Sequence, residues 1–261
     1  MLKKRLVGVI TVKNGWAVQS FGYSRYLPLG RPECMAQNLD RWGADEILVQ
    51  IVDRSVTCLG PDFNLMRRLG ELGLGTPLIY AGGIRSVPDG VKLVQLGADR
   101  IVVDALLHQD LLPIKQLSEN LGAQAVIASL PISWLKGRVA WYDYRKRISK
   151  PISNELSNAI NTGDISEVML TDWTHEGLPY GFDQQLIEEF PLKEVSIIAF
   201  GGLTDIDQMK TLFQNSRVSA LAVGNFLSYR EHAIQKIKEK LVGCPLRLAS
   251  YKSTSLSIKD V

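Results

Sequence analysis

One stretch of the sequence occurs twice, and this repeat limits the possible folds more than any other feature. Tyr80–Leu107 (YAGGIRSVPDGVKLVQLGADRIVVDALL) resembles Ala199–Leu227 (AFGGLTDIDQMKTLFQNSRVSALAVGNFL), and the pairs Gly82–Gly83 and Gly201–Gly202 align at an offset of 119 residues. Solenoid repeats span roughly 20–50 residues, so a period this long does not indicate a solenoid. We therefore expect a single domain built from two related halves.

Short apolar runs rich in β-branched residues recur along the chain, as is typical of strands buried on both faces of a parallel sheet. There are eight of them: Leu6–Val12, Glu46–Val52, Pro77–Ala81, Arg100–Asp104, Ala125–Leu130, Glu167–Thr171, Ser196–Phe200 and Val218–Val223. Amphipathic stretches separate most of them, and eight strand–helix units in 261 residues predict a (βα)8 TIM barrel. A doubly wound open sheet has the same periodicity, but the repeat favours a barrel closed from two four-strand halves. We assign residues 1–248 to the barrel and 249–261 to a flexible C-terminal tail.

A basic segment interrupts this alternation after the fifth predicted strand. Trp134–Lys150 (WLKGRVAWYDYRKRISK) alternates aromatic and polar residues around Gly137, which predicts an inserted β-hairpin. Its six cationic side chains have two interpretations. They form either a solvated basic surface or a lid that contacts a phosphorylated ligand.

The charge balance and the few cysteines and histidines exclude several classes of function. Lys and Arg total 30 against 27 Asp and Glu, and a net charge of +3 is too small to indicate nucleic-acid binding. No apolar run approaches the ~18 residues of a membrane span, and the basic N-terminus lacks a cleavage site, so we expect a cytoplasmic protein without membrane contact. Three cysteines and three histidines in no ligand pattern predict neither disulfides nor a metal site, and we predict no cofactor.

Both halves of the repeat place a Gly-Gly pair at the end of a predicted strand, just before a helix. Glycine lets backbone N–H groups approach a phosphate closely, and a helix N-terminus adds partial positive charge. The alternative is that the glycines only make tight turns, but two copies at matching positions favour two phosphate sites. The predicted sites comprise Gly82, Gly83, Asp104 and Ala105 in the first half, and Gly177, Gly201, Gly202, Gly224 and Asn225 in the second.

A set of motifs also follows the order found in a known enzyme family. From Met1 to about Arg247 these are MLKKRLVGVITVKNG, GADEILVQIVD, YAGGI, GADRIVV, GAQAVIAS, SEVMLTDWTHEGLPYGFD and IIAFGGLTD. In this order they resemble HisF, the cyclase subunit of imidazole glycerol phosphate synthase. The resemblance implies a (βα)8 barrel with a phosphate site for each end of a bis-phosphorylated ligand. It also implies a glutaminase partner, HisH, docked on the N-terminal face of the barrel, whose ammonia passes through the interior to the active face.

The residues that carry the cyclase chemistry in HisF are different here. The family has one aspartate at the end of the first strand and another at the end of the fifth, and these positions are Thr11 and Pro131. The cyclisation needs proton transfers, and each positioned acid or base contributes roughly 10²–10⁴-fold in rate, so we do not expect efficient cyclase activity. The nearest titratable candidates for a catalytic role are His175, Glu176 and Asp104.

A second set of family residues is present. HisF has a ring of charged side chains at the bottom of the barrel, where ammonia enters, and the resemblance assigns this ammonia gate to Arg5, Glu46, Arg100 and Glu167. Buried charges are costly unless they pair, and two Arg with two Glu can pair with no net charge. A salt-bridge plug that only closes the barrel is the alternative. Asp99 matches an aspartate that couples the family to its glutaminase, and it favours a retained docking face.

A kept ammonia gate without the aspartates is consistent with a branch of HisF-like proteins, the WbuZ type, associated with amidation of surface-polysaccharide sugars. Lys13–Gly15, Gly30–Pro32 and Ala222–Asn225 resemble that branch. We predict a barrel that docks a HisH-like glutaminase and conducts ammonia for sugar amidation, with a separate ATP-dependent amidotransferase as a further partner. One alternative is imidazole glycerol phosphate synthase cyclase activity, in histidine biosynthesis, with re-sited acid and base residues. The other is a non-catalytic scaffold that binds a phosphorylated small molecule.

Overall fold

The core of the chain is a closed barrel of eight parallel strands. The computed structural model describes residues 3–179, 181–229 and 231–249, so that the predicted tail lies outside the described residues from position 250 onward. In chain order the strands are β1 (Arg5–Lys13), β2 (Trp16–Phe21), β3 (Arg25–Gly30), β4 (Glu46–Ile51), β5 (Leu78–Ala81), β6 (Arg100–Val103), β7 (Val126–Leu135), β8 (Arg138–Asp143), β9 (Ile148–Pro151), β10 (Glu167–Asp172), β11 (Ser196–Phe200) and β12 (Val218–Val223). All but β2, β3, β8 and β9 belong to the barrel, which is closed by parallel pairing of β12 with β1 and of β7 with β10. The predicted (βα)8 barrel is confirmed.

The helices cover the outside of the barrel. They are α1 (Pro32–Arg41), α2 (Arg54–Thr57), α3 (Phe63–Gly70), α4 (Val87–Gln95), α5 (Leu112–Leu121), α6 (Asn154–Asn161), α7 (Gln185–Glu188), α8 (Ile206–Gln214) and α9 (Ala233–Lys240). Several begin where the sequence supplies a cap: the side chains of Ser86, Ser153 and Asp205 each accept a hydrogen bond from a backbone N–H in the first turn. Within the described ranges, no helix has both the length and the apolar character needed to cross a membrane.

Two apolar cores lie on the two sides of the barrel wall, because successive residues of a strand face opposite sides. The larger core packs the outer face of the strands against the helices. The smaller core fills the barrel interior and consists of Val7, Val9, Leu48, Ile79, Ala81, Val102, Ile127, Met169, Ile198, Phe200, Ala220 and Ala222. Each of these interior residues is at most 5% exposed, so the middle of the barrel is packed with side chains.

Alternate strands build the interior in layers, as is typical of this fold. Strands β4, β6, β10 and β12 contribute Leu48, Val102, Met169 and Ala222 to one apolar layer. Two residues earlier these strands carry Glu46, Arg100, Glu167 and Ala220, and two residues later Gln50, Asp104, Thr171 and Gly224. Because the side chains alternate with a period of two, all three sets face inward. The interior is therefore charged at the N-terminal end, apolar in the middle and polar at the C-terminal end.

The four remaining strands form two hairpins at equivalent places in the two halves. Asn14–Gly15 joins β1 to the antiparallel β2, and Lys136–Gly137 joins β7 to the antiparallel β8. All four turn residues have positive φ, between 50° and 77°, as two-residue hairpin turns require. The hairpin predicted around Gly137 is confirmed, because its turn joins the end of β7 to β8. Strand β8 pairs in turn with β9, and we call this pair the second hairpin. The hairpin after the first strand (β2 with β3, the first hairpin) is not expected from the sequence analysis.

Candidate functional site

Four charged side chains meet inside the N-terminal end of the barrel and form what we call the charged ring. Arg5 Nη2 lies 2.6 Å from Glu167 Oε1, and Arg5 Nε lies 3.2 Å from Glu46 Oε2. Arg100 completes the ring, with Nη1 3.2 Å from Glu46 Oε1 and Nη2 2.6 Å from Glu167 Oε2. Each carboxylate therefore lies between two guanidinium groups, and the predicted set is brought together with no net charge.

The two carboxyl groups of the charged ring respond differently to the same surroundings. Burial raises the pKa of Glu46, and the nearby Arg5 and Arg100 offset this only in part. Burial acts in the same direction on Glu167, but Arg5, Arg100 and the Ser219 hydroxyl outweigh it, so that the pKa of Glu167 is lowered. The ring thus holds Glu167 firmly as a carboxylate, whereas Glu46 is the glutamate that takes up a proton first as the pH falls.

Asp99 lies at the same end of the barrel, directly before Arg100. Its Oδ2 accepts a hydrogen bond from Leu78 N at 2.8 Å, and its own N–H donates to Leu78 O at 2.8 Å. Asp45 has the same contact two barrel strands earlier, directly before β4, where its Oδ2 accepts from Leu6 N at 2.7 Å. These contacts hold neighbouring strand starts together. Asp99 is exposed, and its role in docking a partner stays a prediction.

Thr11 and Pro131 lie at the C-terminal end of the barrel, which we call the mouth. They belong to β1 and β7, which are four strands apart around the barrel and therefore face each other across it. Thr11 is 6% exposed, and a cavity of about 10 Å³, the size of a single water molecule, lies beside it. Neither side chain can exchange a proton near neutral pH.

The first hairpin covers the mouth and inserts Tyr23 into it. Tyr23 is the residue between β2 and β3 with a φ of 51°, and its ring packs against the apolar interior of the barrel. Its hydroxyl accepts a hydrogen bond from Gln50 Nε2 at 3.4 Å. Burial raises the pKa of this phenol well above its usual range, and the negative charge of Glu176 adds to the effect. The phenol therefore stays protonated at neutral pH and fills the part of the mouth next to Gln50.

Two of the predicted site residues fasten the first hairpin. Glu176 is 3% exposed and accepts hydrogen bonds from Ser20 Oγ at 3.0 Å and from Tyr23 N at 3.1 Å, while its backbone oxygen accepts from Gly22 N at 2.9 Å. Burial raises the pKa of the Glu176 carboxyl, although these donors counteract the shift. Asn225 Oδ1 accepts from Ser20 N at 3.1 Å, and its Nδ2 donates to Ser20 O at 2.6 Å. Both side chains are thus engaged with the hairpin.

His175 has a different environment from its neighbour Glu176. Its Nδ1 lies 2.6 Å from Oδ2 of Asp172, which is fully buried and also accepts from Thr174 Oγ1 at 2.7 Å and Asp183 N at 3.0 Å. The His175 side chain is 33% exposed. A buried carboxylate that fixes one imidazole nitrogen leaves the other nitrogen, here Nε2, as the one that can exchange a proton with a ligand.

The glycine pairs take the same conformation in both halves. Gly82 and Gly201 have φ values of 121° and 110°, and a Cβ atom there would lie 2.3 Å from Ile51 O and 2.4 Å from Asp172 O. Tight packing of the turns against the preceding barrel strand thus requires glycine at both positions. Added Cβ atoms would also lie under 3.0 Å from a backbone oxygen at Gly83, Gly177 and Gly202, but 3.6 Å from the nearest atom at Gly224. Phosphate binding at these turns stays a prediction.

The second hairpin contacts the other half of the mouth through Tyr144. Its hydroxyl donates to Asp104 Oδ2 at 2.7 Å, and Ala105, the next residue along, is fully buried. Burial and the charge of Asp104 raise the pKa of Tyr144. Tyr144 follows Tyr23 by 121 residues, close to the repeat offset, so each half of the barrel directs one tyrosine from its hairpin into the mouth.

A buried histidine anchors the second hairpin. The rings of His108 and Trp141 stack with centroids 4.0 Å apart, and His108 Nδ1 lies 3.4 Å from Asp143 Oδ2. Burial lowers the pKa of His108 to about 4, although Asp143 acts in the opposite direction.

Among the described residues, no group of three or more His, Cys, Asp or Glu side chains could hold a metal ion.

Four residues of the site are not among those predicted from the sequence: Tyr23, Tyr144 and Ser20 of the two hairpins, and Asp172 beside His175. Two signals could have indicated the tyrosines. Asn14–Gly15 is a strong hairpin signal directly after a strand. Extension of the repeat toward the N-terminus, across the preceding strand and helix units, would also have aligned Tyr23 with Tyr144 at an offset of 121 residues. The Asp172 contact with His175 has no comparable signal, because a spacing of three residues in a loop does not fix a geometry.

Comparisons with known proteins agree with this architecture. A family model described as "Histidine biosynthesis protein" matches residues 5–233. Imidazole glycerol phosphate synthase subunit HisF of Staphylococcus epidermidis is 29% identical over 250 residues, which cover 92% of this chain and 97% of that protein. A putative imidazole glycerol phosphate synthase subunit hisF2 of Vibrio vulnificus is 25% identical over 250 residues, with 95% and 92% covered. A putative HisF subunit of Leptospira interrogans is 25% identical over 235 residues, with 88% and 92% covered. The chain belongs to the histidine biosynthesis protein family and is similar to its HisF members over nearly its whole length.

Proposed function

We propose that this chain is the barrel subunit of a glutamine-dependent system, which docks a HisH-like glutaminase and conducts its ammonia to the mouth. The observation that carries the proposal is the closed, neutral charged ring at the N-terminal end. A salt-bridge plug needs no particular strands, whereas this ring uses the four positions at which HisF has its ammonia gate. Thr11 and Pro131 at the opposite end argue against HisF-type acid–base catalysis as the reason for keeping the ring.

The barrel interior above the charged ring suits a small neutral molecule. Leu48, Val102 and Met169 form an apolar layer between the ring and the polar residues of the mouth. An apolar passage excludes ions more strongly than uncharged ammonia, because an unpaired charge is far more costly to bury than a neutral polar molecule. Ammonia that passes the ring would separate one Arg–Glu contact, and the packed side chains of the apolar layer would then have to move apart to let it through.

The proposal is tested by co-expression with the HisH-like glutaminase of the same organism. We expect a complex in size-exclusion chromatography and a faster hydrolysis of glutamine when the chain is present. Arg100→Met should reduce ammonia transfer without preventing folding, while Lys115→Met removes a cation from helix α5 as a matched control. Absence of both a complex and any stimulation of glutamine hydrolysis would refute the proposal.

The acceptor of the ammonia is a finer part of the proposal. Resemblance to the WbuZ branch supports a sugar of a surface polysaccharide, amidated by a separate ATP-dependent enzyme. The test adds that enzyme and a candidate sugar to the glutaminase complex. Incorporation of ¹⁵N from amide-labelled glutamine into the sugar is expected, and incorporation that is equally fast without this chain would contradict it.

A phosphorylated ligand at the second-half glycines would compete with the first hairpin. Asn225 is hydrogen-bonded to Ser20, and Gly177 faces the Ser20 carbonyl at 2.0 Å from the position of an added Cβ. A phosphate that hydrogen-bonds to the Asn225 side chain and to the backbone N–H groups near Gly202 would therefore displace Ser20 from Asn225. We expect sugar phosphates to increase amide exchange in β2, and an unchanged exchange would argue against phosphate binding at this place.

The second candidate function is the HisF reaction with a relocated acid and base, and the His175–Asp172 contact of 2.6 Å favours it. Of the three titratable candidates, Glu176 and Asp104 accept hydrogen bonds from the hairpins, whereas His175 keeps a partly exposed ring. The test is turnover of the bis-phosphorylated imidazole precursor with ammonia. Activity that His175→Ala abolishes would support this function, and activity that survives the substitution would exclude His175.

A further inference from the structure

Three buried oxygen atoms at the mouth have no hydrogen-bond partner: Gln50 Oε1, Asp104 Oδ1 and Thr171 Oγ1. They lie on, or directly after, the strands β4, β6 and β10, each four residues beyond the member of the charged ring on the same strand. Because alternate strands build one layer of a barrel, the three side chains converge at one level of the interior. We call this set the acceptor layer.

The remaining contacts of these side chains hold the three oxygens in place. Gln50 uses its Nε2 to donate to Tyr23 OH, so its Oε1 is the atom left over. Asp104 uses Oδ2 to accept from Tyr144 OH at 2.7 Å, which leaves Oδ1. Thr171 is 1% exposed, and its hydroxyl lies beside the Tyr23 phenol without making a hydrogen bond of normal geometry. Each unpaired buried acceptor is costly, so a donor at this level would be bound favourably.

The chemistry of the acceptor layer selects the ligand. Two of its atoms can only accept hydrogen bonds, the third is a hydroxyl oxygen, and the Asp104 carboxylate adds a negative charge. An anion such as phosphate is therefore excluded, and a small cation with several N–H donors is favoured. Tyr23 above and the apolar Met169 layer below leave no room for a large organic group.

We propose that Gln50, Asp104 and Thr171 form an ammonium-binding site at the mouth end of the barrel interior. The site deepens the proposed function and rests on it for its biological meaning. Ammonia that arrives through the barrel would take a proton from solvent water at the mouth, with hydroxide as the other product, and be held as ammonium. It would return that proton to water when an acceptor is present. A rise of about 3.3 Å per residue and a strand tilt of about 36° put the acceptor layer roughly 11 Å from the charged ring along the barrel axis. The two polar levels would then be the entrance and the receiving end of one passage.

The test uses the isolated full chain and ¹⁵N-labelled ammonium chloride as the ligand. Bound ammonium in a buried site exchanges slowly, so we expect a saturable resonance in proton–nitrogen spectra that is distinct from free ammonium. Titrations at constant ionic strength with potassium chloride and with tetramethylammonium chloride measure selectivity. We expect at least a tenfold preference for ammonium over both salts.

Variants assign the signal to the acceptor layer. Asp104→Asn and Thr171→Val should each weaken ammonium binding at least tenfold, whereas Thr171→Ser, which keeps the hydroxyl, should bind as the parent does. Asp110→Asn removes an exposed carboxylate from the same segment as a matched control, and thermal unfolding checks that every variant is folded. No saturable signal, equal displacement by potassium, or unchanged binding in both folded variants would overturn the proposal.

This outcome is separable from that of the glutaminase experiment. Ammonium binding is measured without any partner, so a chain that stimulates no glutaminase but binds ammonium selectively would refute the proposed function and keep the site. A chain that stimulates the glutaminase but shows no saturable ammonium binding would refute the site and leave the proposed function standing.

Discussion

Replacement of Glu176 by alanine removes the carboxylate that holds the first hairpin over the mouth. In the native chain this group accepts hydrogen bonds from Ser20 Oγ at 3.0 Å and Tyr23 N at 3.1 Å. A hydrogen bond to a charged group contributes about 1.5–3 kcal/mol, and the burial that raises the pKa of Glu176 offsets part of the gain. We therefore expect Glu176→Ala to lower the free energy of opening of the hairpin by about 2 kcal/mol.

Hydrogen exchange of the hairpin amides measures this free energy directly. A loss of about 2 kcal/mol corresponds to roughly 30-fold faster exchange at Gly22 and Tyr23. Glu176→Gln keeps a side-chain oxygen as acceptor and should retain most of the protection, and Glu189→Ala, at an exposed position, is the control for loss of a glutamate. Exchange at Tyr23 that is equally slow in Glu176→Ala would refute the assignment of the fastening role.

The pH dependence provides a second check on the same residue. Because the pKa of Glu176 is raised in the folded state, the folded protein holds this proton more tightly than the unfolded chain does. The pH-dependent part of the contribution of Glu176 to stability is therefore fully present below the ordinary glutamate pKa and is lost as the pH rises through the raised value, while the hydrogen bonds from Ser20 and Tyr23 remain. Glu176→Gln should lack this loss, and identical pH profiles of the two proteins would contradict the raised pKa.

Three further predictions concern the buried charges. Glu167→Gln should lower the free energy of unfolding by about 3 kcal/mol at pH 7 in urea denaturation, because the Glu167 carboxylate pairs with two arginines. The pKa of Glu167 is lowered in the folded state, so the wild type loses this stability as the pH falls through the lowered pKa, and the difference between the two proteins should shrink in acid. Lys238→Met should cost about 3–5 kcal/mol in the same assay, because it leaves Asp45, 2.8 Å from the Lys238 ammonium, buried without a cation, and added Asp45→Asn should restore part of the loss. The pKa of His108 is lowered to about 4 in the folded state, so the unfolded chain binds this proton more tightly and the wild type should lose roughly 3 kcal/mol of stability between pH 6.5 and 4. His108→Phe keeps a ring against Trp141 and should remove this dependence of stability on pH.

Most of the barrel could be predicted because its strands have a strong local signal. Seven of the eight predicted strands agree with the observed bounds to within one residue at each end, since apolar β-branched runs between helices have few alternatives. The exception is the fifth predicted strand, β7, which continues past Leu130 to Leu135 because it leads directly into the antiparallel β8. The first hairpin is harder to predict, since β3 contains Pro28 and mostly exposed residues, without the alternation of a half-buried strand.

Part of the site could be predicted from the sequence, whereas contacts between residues far apart in the chain could not. The charged ring could be assigned because the resemblance to HisF indicates its four positions, and each of them is the first residue of a strand. Glu176 is identified as a titratable candidate, but its actual partner, Ser20, lies 156 residues earlier in the chain. No local pattern reveals such a contact, because it depends on how the first hairpin folds across the barrel.

Tyr23 and Tyr144 together have a consequence for which molecules can enter the mouth. Tyr23 reaches Gln50 from the first hairpin and Tyr144 reaches Asp104 from the second, so displacement of one phenol would not require displacement of the other. A compact substrate would need to displace one tyrosine, whereas an elongated one that spans both halves would bear the cost of displacing two. The barrel would thus sort its substrates by length before any chemical group on them is recognised.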